Sequence, residues 1–202
     1  MLTAQELASI WKALGDDEYA RVVKLLILTG CRREEIAAMR WSEIDLDAGT
    51  WTLPPTRSKN GRPHTLPITD LMSRIIDSIP QRESTDLLFG KRHGFTSWSI
   101  GKPALDAKLD LEPWVLHDIR RSVATGIADI GIQPHIVEQV LNHQSGHKRG
   151  VAGVYNRSSY QREVRDAMLR WSDHVRAVVE GKRSKVLAYK KRTAAVAETH
   201  GH

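Results

Sequence analysis

The sequence contains one cysteine, Cys31, and no long apolar run. A single cysteine cannot form an intrachain disulfide, so the fold is compatible with a reducing compartment. The longest apolar stretch, residues 22–28, is interrupted by Lys24 and is far shorter than the roughly 20 residues that cross a bilayer. We therefore expect no membrane partner. No motif of a cysteine enzyme surrounds Cys31, so we expect it to be a small, partly buried residue.

The composition is that of an ordinary globular protein, with 41% apolar and 27% charged residues. Lysine and arginine exceed the acids by 30 to 24, which suggests a polyanionic partner. Residues 181–202 hold six bases against one acid and so carry +5 of the net charge of +6. The body is therefore nearly neutral. We expect one domain over residues 1–179 and a basic tail over residues 180–202.

The periodicity and the capping residues predict a mainly α fold with a small antiparallel β-sheet (α+β). Thr3 is a good N-cap, and Gly30 can take the left-handed conformation that closes a helix. Asn60-Gly61 predicts a tight turn between two strands, and Pro63 makes the second of them an edge strand. The predicted strands are residues 50–53 and 64–67, and the predicted helices are residues 4–14, 18–28, 33–40, 70–79, 97–109, 116–129, 134–141 and 159–179.

Four separated segments carry an unusual set of cationic and hydroxyl side chains. T-G-C-R-R-E-E begins at Thr29, Lys59 lies on the predicted hairpin, L-H-D-I-R-R begins at Leu116, and L-N-H ends at His143 ahead of Y-N-R at Tyr155. Residues 54–65, around Lys59, contain three bases and no acid. In a nearly neutral body this clustering indicates a local anion-binding surface.

Together these segments resemble the catalytic domain of the tyrosine recombinase (phage integrase) family, over about residues 2–179. Each motif alone is weak, but their order and spacing together are specific. Asn142 stands where the family more often has glycine. In the family's motifs T-G-x-R-x-x-E, H-x-x-R, L-G-H or L-N-H, and Y-x-R, the functional residues correspond to Arg32 and Glu35, His117 and Arg120, His143 and Tyr155, with Lys59 on the hairpin.

The resemblance implies a site-specific recombinase or integrase that cleaves and rejoins DNA strands through a 3′-phosphotyrosine. The implied partner is double-stranded DNA, on which the chain would form a homo-oligomer, a tetramer, with its C-terminal tail packed in trans. The implied location is the bacterial cytoplasm, at the nucleoid. Because the phosphate ester is transferred to tyrosine rather than hydrolysed, its free energy is kept for religation. We therefore expect no ATP and no other cofactor. Five cationic or polar donors around one phosphate occupy the place that a metal takes in a two-metal nuclease, so we also expect no metal.

The chemistry explains these residue types. Attack on a phosphodiester builds negative charge on two non-bridging oxygens, which the guanidiniums of Arg32 and Arg120 can clamp. Tyr155 is protonated at neutral pH, so a neighbour must accept its proton, and His117 is the candidate. The departing 5′-oxygen needs a proton, and Lys59 on its hairpin can supply one.

The remaining candidates have supporting roles. His143 would donate a hydrogen bond to the phosphate, and Glu35 would orient Arg32 or balance its charge. A metal pair at His143 and His147 is disfavoured, since Gly146 lies between them and no H-E-x-x-H motif is present. The basic residues of segment 54–65 could also belong to a simple solvated turn. The expected DNA contacts are Arg57, Arg62, Lys148, Arg149 and Arg157.

Adjacent candidates need separate arguments. On a helix that turns about 100° per residue, Arg120 lies about 60° from the apolar stripe of residues 119, 123 and 127, and Arg121 about 160° from it. Arg120 is therefore the one held beside the core. The choices of Tyr155 over Tyr160 and of Arg32 over Arg33 rest on the resemblance. Two rival functions are a type IB topoisomerase and a non-catalytic DNA-binding module. The short chain and the L-N-H motif disfavour the topoisomerase, and the complete catalytic set disfavours the non-catalytic module.

Overall fold

The structure is a computed structural model of the chain, and it describes residues 1–143 and 160–182. The described residues form mainly helices together with a small antiparallel sheet, as the sequence predicted. Within the described residues, no helix is both long and apolar enough to cross a membrane. The helices are α1 (Ala4–Ala13), α2 (Glu18–Thr29), α3 (Arg33–Ala37), α4 (Asp70–Asp77), α5 (Trp98–Asp106), α6 (Leu116–Asp129), α7 (Pro134–Val140) and α8 (Gln161–Val179); the strands are β1 (Ile44–Asp45), β2 (Thr50–Leu53) and β3 (His64–Pro67).

The first two helices begin at the predicted residues, and each ends one residue from its predicted end, at Ala13 and Thr29. The Thr3 hydroxyl accepts a hydrogen bond from Glu6 N at 3.2 Å, while Thr3 N donates to Glu6 Oε2 at 2.6 Å. These reciprocal bonds satisfy two backbone donors at the start of α1. At the end of α2, Gly30 has φ +63° and its N–H donates to Leu26 O at 2.9 Å. Gly30 is therefore the left-handed cap that the sequence predicted.

The sheet has the strand order β1-β2-β3, and both pairings are antiparallel. Leu53 pairs with His64, so residues 54–63 connect the two predicted strands, and the Asn60-Gly61 turn is only part of that connection. β3 lies at an edge, as Pro63 predicted. The two-residue strand β1 was not predicted, because so short a segment carries no periodicity.

Helix α3 is shorter than its apolar pattern predicted. It ends at Ala37 rather than at residue 40, although Ile36 and Met39 are both fully buried. The backbone after it leaves the helix because Leu88 N donates to Met39 O at 2.9 Å and Arg40 forms a β-bridge with Leu87. A distant segment has therefore overridden the local helical preference.

Helix α2 occupies the centre of the core and contacts α3, α4, α6 and α8. Trp171 of α8 is 1% exposed, and its indole Nε1 donates to Ile27 O at 2.9 Å. Gly126 of α6 faces this ring, since a Cβ added there would lie 2.5 Å from Trp171 Cζ3. α8 ends at Val179, and residues 183–202, most of the predicted basic tail, lie outside the described residues.

We predict that Gly126→Ala destabilises the protein. The methyl group must displace the buried Trp171 ring, and such overpacking costs about 1–3 kcal/mol. This exceeds the ~1 kcal/mol that alanine gains over glycine within a helix. Urea denaturation measures the change in the free energy of unfolding. Gly15→Ala is the matched control, because its methyl group would meet nothing within 4 Å, and equal effects of the two changes would contradict the packing argument.

Candidate active site

The segment between α2 and α3 is shaped by Thr29 and Gly30. The Thr29 hydroxyl donates to Leu25 O at 2.7 Å and accepts from Cys31 N at 3.2 Å, which fixes the chain as it leaves the helix. A Cβ on Gly30 would lie 2.8 Å from Leu141 Cδ2 and 2.9 Å from Val123 Cγ1. Only glycine therefore allows the ends of α2 and α7 to approach this closely against α6.

Arg32 directly precedes α3 and is held by Glu35. One Glu35 oxygen accepts from Arg32 N at 2.9 Å, and the other accepts from Arg32 Nη1 at 3.0 Å. Glu35 is 4% exposed, whereas the Arg32 side chain keeps 23% of its surface exposed. This geometry supports the expected orienting role of Glu35, since the guanidinium is fixed at the surface rather than buried.

Arg120 of α6 joins the ends of two other helices. Its Nη1 donates to Gly30 O at 2.6 Å and its Nη2 donates to Leu141 O at 2.7 Å. The residue is 8% exposed, while the neighbouring Arg121 side chain is 63% exposed and pairs with Asp118. The prediction from helical geometry that Arg120 lies against the core is therefore confirmed. Burial and then the charge of Arg32 lower the pKa of Arg120 from its usual value.

His117 lies in the first turn of the same helix and is exposed. Desolvation by its neighbours, followed by the charges of Arg121 and Arg120, lowers the pKa of His117. Asp118 acts in the opposite direction. The lowered pKa favours the neutral imidazole, which is the form that can accept a proton.

Lys59 lies in the β2–β3 connection, and its side chain is exposed. The next residue, Asn60, donates from Nδ2 to the backbone oxygen of Asn142 at 3.0 Å and to its side-chain Oδ1 at 2.7 Å. His143 follows Asn142, is exposed, and has Nδ1 at 3.1 Å from Glu138 Oε2. The loop of Lys59 and the end of α7 are thus joined beside His143.

Arg57 does not have the exposed position that a DNA contact requires. Its Nε and Nη2 donate to the two carboxylate oxygens of Glu43 at 2.7 and 2.5 Å, and its Nη1 donates to Glu35 O at 3.4 Å. The ion pair is largely enclosed, since the two side chains are 15% and 5% exposed. The geometry therefore favours a structural role for Arg57. Arg62, in contrast, is exposed.

Sequence reasoning passed over a buried histidine and an amide pair. His64 of β3 is 7% exposed, and burial lowers its pKa to about 4. One signal of the amide pair was present in the sequence, since Asn142 stands where the family more often has glycine. Its φ is +48°. Cys31 is 2% exposed, and burial raises its pKa to about 12, so it is as unreactive as expected.

Tyr155, Lys148, Arg149 and Arg157 lie outside the described residues. Tyr160, the rejected alternative to Tyr155, directly precedes α8, and its ring lies edge-on to His135 with centroids 5.3 Å apart.

Solved structures define the fold as that of a tyrosine recombinase catalytic domain. The catalytic core of lambda integrase aligns with a TM-score of 0.56 and 21% identity, over 71% of this chain and 94% of that one. The XerA recombinase aligns with a TM-score of 0.61 and 19% identity, over 71% of this chain and 55% of that one. The predicted fold class is therefore confirmed.

The family follows from sequence comparison. The model of the phage integrase family matches residues 1–162, so the chain belongs to this family. Prophage integrase IntA of Escherichia coli is 31% identical over 160 residues, which are 77% of this chain and 38% of that protein. Prophage integrase IntZ of the same bacterium is 26% identical over 195 residues, which are 87% of this chain and 45% of that protein. The chain thus spans less than half the length of these two relatives.

We predict that His117 titrates below its usual pKa of about 6.5. Arg121 is one of the cations that lower this pKa, so Arg121→Ala should raise it towards the usual value. NMR titration of the imidazole carbon-bound protons measures both. A wild-type midpoint at or above about 6.5 would contradict the electrostatic argument, as would a downward shift in the variant.

Proposed function

We propose that this chain is the catalytic domain of a site-specific recombinase that cleaves and rejoins double-stranded DNA through a 3′-phosphotyrosine intermediate. Membership of the phage integrase family supports the proposal, as does the XerH recombinase that was solved bound to its difH substrate. The observation that carries it is the position of Arg120, whose guanidinium connects the end of α2, next to Arg32, to the end of α7, next to His143.

Arg32 and Arg120 bind the scissile phosphate in this mechanism. A guanidinium has five N–H donors in a plane, and the two carbonyl bonds of Arg120 fix that plane while using two of the donors. The Glu35 carboxylate fixes Arg32 in the same way. Both cations are therefore held in place before substrate arrives, which is how charge developing in a transition state is stabilised most effectively.

Tyr155 is the proposed nucleophile. Its oxygen attacks the phosphorus, the bond to the 5′-oxygen breaks, and the 3′-phosphate remains on the tyrosine. His117, whose lowered pKa favours the neutral imidazole, receives the phenolic proton, and Lys59 gives a proton to the departing 5′-oxygen. Religation is the reverse reaction, so no ATP is consumed. No metal or other cofactor takes part in the proposed reaction.

His143 completes the proposed phosphate site. Its Nδ1 lies against Glu138, so its Nε2 is the nitrogen proposed to donate to a phosphate oxygen. Arg62 is proposed as a contact to the DNA backbone because it is exposed beside the Lys59 turn. Lys148, Arg149 and Arg157 are proposed DNA contacts on sequence grounds. Arg57 is not proposed as a DNA contact, because its guanidinium pairs with Glu43.

Strand exchange requires several protomers on one DNA substrate, and we propose a tetramer. Lambda integrase was solved as a tetramer bound to a Holliday junction and aligns with a TM-score of 0.56 at 20% identity, over 74% of this chain and 48% of that one. The basic segment of residues 180–202 is proposed to pack against a neighbouring protomer. Relaxation of supercoils and non-catalytic binding stay as rival functions, and no observation on the described residues favours either.

We predict that Arg120→Ala slows DNA cleavage by roughly 10² or more, the usual scale for losing a transition-state donor. The substrate is a nicked duplex that the wild-type chain has selected from a randomised pool, and the rate is that of covalent complex formation. Arg121→Ala is the matched control, since its side chain is 63% exposed and points away from the core. Equal losses in the two variants would contradict the proposed site.

We predict that Lys59→Ala cleaves ordinary DNA slowly but cleaves a substrate with sulfur at the bridging 5′ position at nearly the wild-type rate. A thiolate leaves without a proton, so the sulfur substrate does not need a general acid. If Lys59 only contacts the DNA backbone, both substrates should slow equally and the defect should shrink at low salt. That second result would remove Lys59 from the mechanism.

A further inference from the structure

A closed network of side-chain hydrogen bonds joins the turn of Lys59 to the end of α7. Asn60 Nδ2 donates to Asn142 Oδ1 at 2.7 Å, and Asn142 Nδ2 faces Asn60 Oδ1 at 3.4 Å. Asn142 Nδ2 also donates to Ser58 Oγ at 3.1 Å, and Ser58 Oγ donates to Asn60 Oδ1 at 2.7 Å. The backbone of Lys59 therefore lies between two members of the network, Ser58 and Asn60.

Among the described residues, Asn142 is the only residue outside the β2–β3 connection that forms hydrogen bonds with residues 58–62. The other bonds of these residues, such as Gly61 N to Ser58 O at 3.0 Å, stay within the connection. Ser58 is 8% exposed, so the network is partly shielded from competing water.

The side-chain amide of Asn142 is not needed to end α7. Its φ of +48° lies in the left-handed region, which glycine adopts at no steric cost. The helix end is closed by backbone bonds, from Asn142 N to Gln139 O at 3.1 Å and from His143 N to Glu138 O at 2.9 Å. Glycine would end the helix equally well at this position. The Asn142 side chain instead forms hydrogen bonds with Ser58 and Asn60, on either side of Lys59.

We propose that Asn142 is a positioning residue that holds Lys59 at the reacting phosphate. It ties the turn to the end of α7, where Leu141 O accepts from Arg120 Nη2 and where His143 begins the next segment. Lys59, the proposed general acid, is thereby tied to the same helix end that accepts from Arg120 and precedes His143, two of the proposed phosphate-binding residues. This inference rests on the proposed function of Lys59, and it adds a residue to which the mechanism assigned no role.

The reason for an anchor lies in the length of the connection. Residues 54–63 separate the paired ends of β2 and β3, and Lys59 is an exposed side chain with four rotatable bonds on that connection. Proton transfer requires the donor within hydrogen-bond distance of the leaving oxygen, and a displacement of about 1 Å is costly. Fixing the backbone on both sides of Lys59 reduces the volume that its amine explores.

The first test compares oxygen and sulfur leaving groups in Asn142→Gly. Glycine accepts the backbone conformation, so the thermal midpoint should stay close to that of the wild type. Cleavage of ordinary DNA should slow about tenfold, the scale of lost hydrogen bonds, while the bridging-sulfur substrate should be cleaved within about twofold of the wild-type rate. A merely structural defect would slow both substrates alike, and that result would overturn the proposal.

A double variant separates the network from its single members. Asn60→Ala should give the same selective defect, and Asn60→Ala combined with Asn142→Gly should be no slower than the worse single variant, because both remove one interaction. Thr52→Val is the matched control on the same hairpin. It removes the bond between Thr52 Oγ1 and Thr65 Oγ1 at 3.0 Å, away from the turn, and should leave both rates unchanged.

A second measurement is independent of catalysis, so it decides the inference even if the wild-type chain forms no covalent complex and the proposed function fails. Trypsin cuts after exposed lysines in segments that open locally. In Asn142→Gly, the cut after Lys59 should become about tenfold faster, while the cut after Lys91, also exposed, should keep its rate. Unchanged cutting after Lys59 would overturn the proposal, whatever the outcome with DNA.

Discussion

The arrangement of the site depends on one buried cation, Arg120. Leaving an unpaired charge in a protein interior costs several kcal/mol, so a buried guanidinium requires partners in fixed positions. Here the partners are the carbonyls of Gly30 and Leu141, which belong to the ends of two different helices. The hydrogen bonds that satisfy the charge therefore also hold α2, α6 and α7 at a single point.

The other features of the site follow from this junction. Because Leu141 and Val123 lie so close to residue 30, that residue must be glycine, and its left-handed φ turns the chain towards Arg32. Glu35 then holds Arg32 beside the buried cation. On the other side, the end of α7 presents His143 and, through Asn142, the turn of Lys59. Groups from four separated segments are thus held around the junction that Arg120 forms with Gly30 and Leu141.

Local physics explains which parts were predictable from the sequence. The Thr3 and Gly30 caps, both strands of the hairpin and the burial of Arg120 rather than Arg121 follow from spacings within a few residues. The ion pair between Arg57 and Glu43 and the amide pair between Asn60 and Asn142 did not, because their partners are distant in sequence. Periodicity could not choose between Tyr155 and Tyr160 or between Arg32 and Arg33. Those choices rest on the resemblance to the family's motifs.

The central claim is that Tyr155 forms a covalent bond to DNA, and trapping that bond tests it most directly. A pool of nicked duplexes with randomised sequence loses a short fragment upon cleavage, so religation is blocked and the adduct accumulates. We expect an adduct that survives denaturation, with the nucleotide mapped by mass spectrometry to Tyr155, and none with Tyr155→Phe. An adduct mapped to Tyr160, or cleavage that requires a divalent metal and leaves no adduct, would contradict the account.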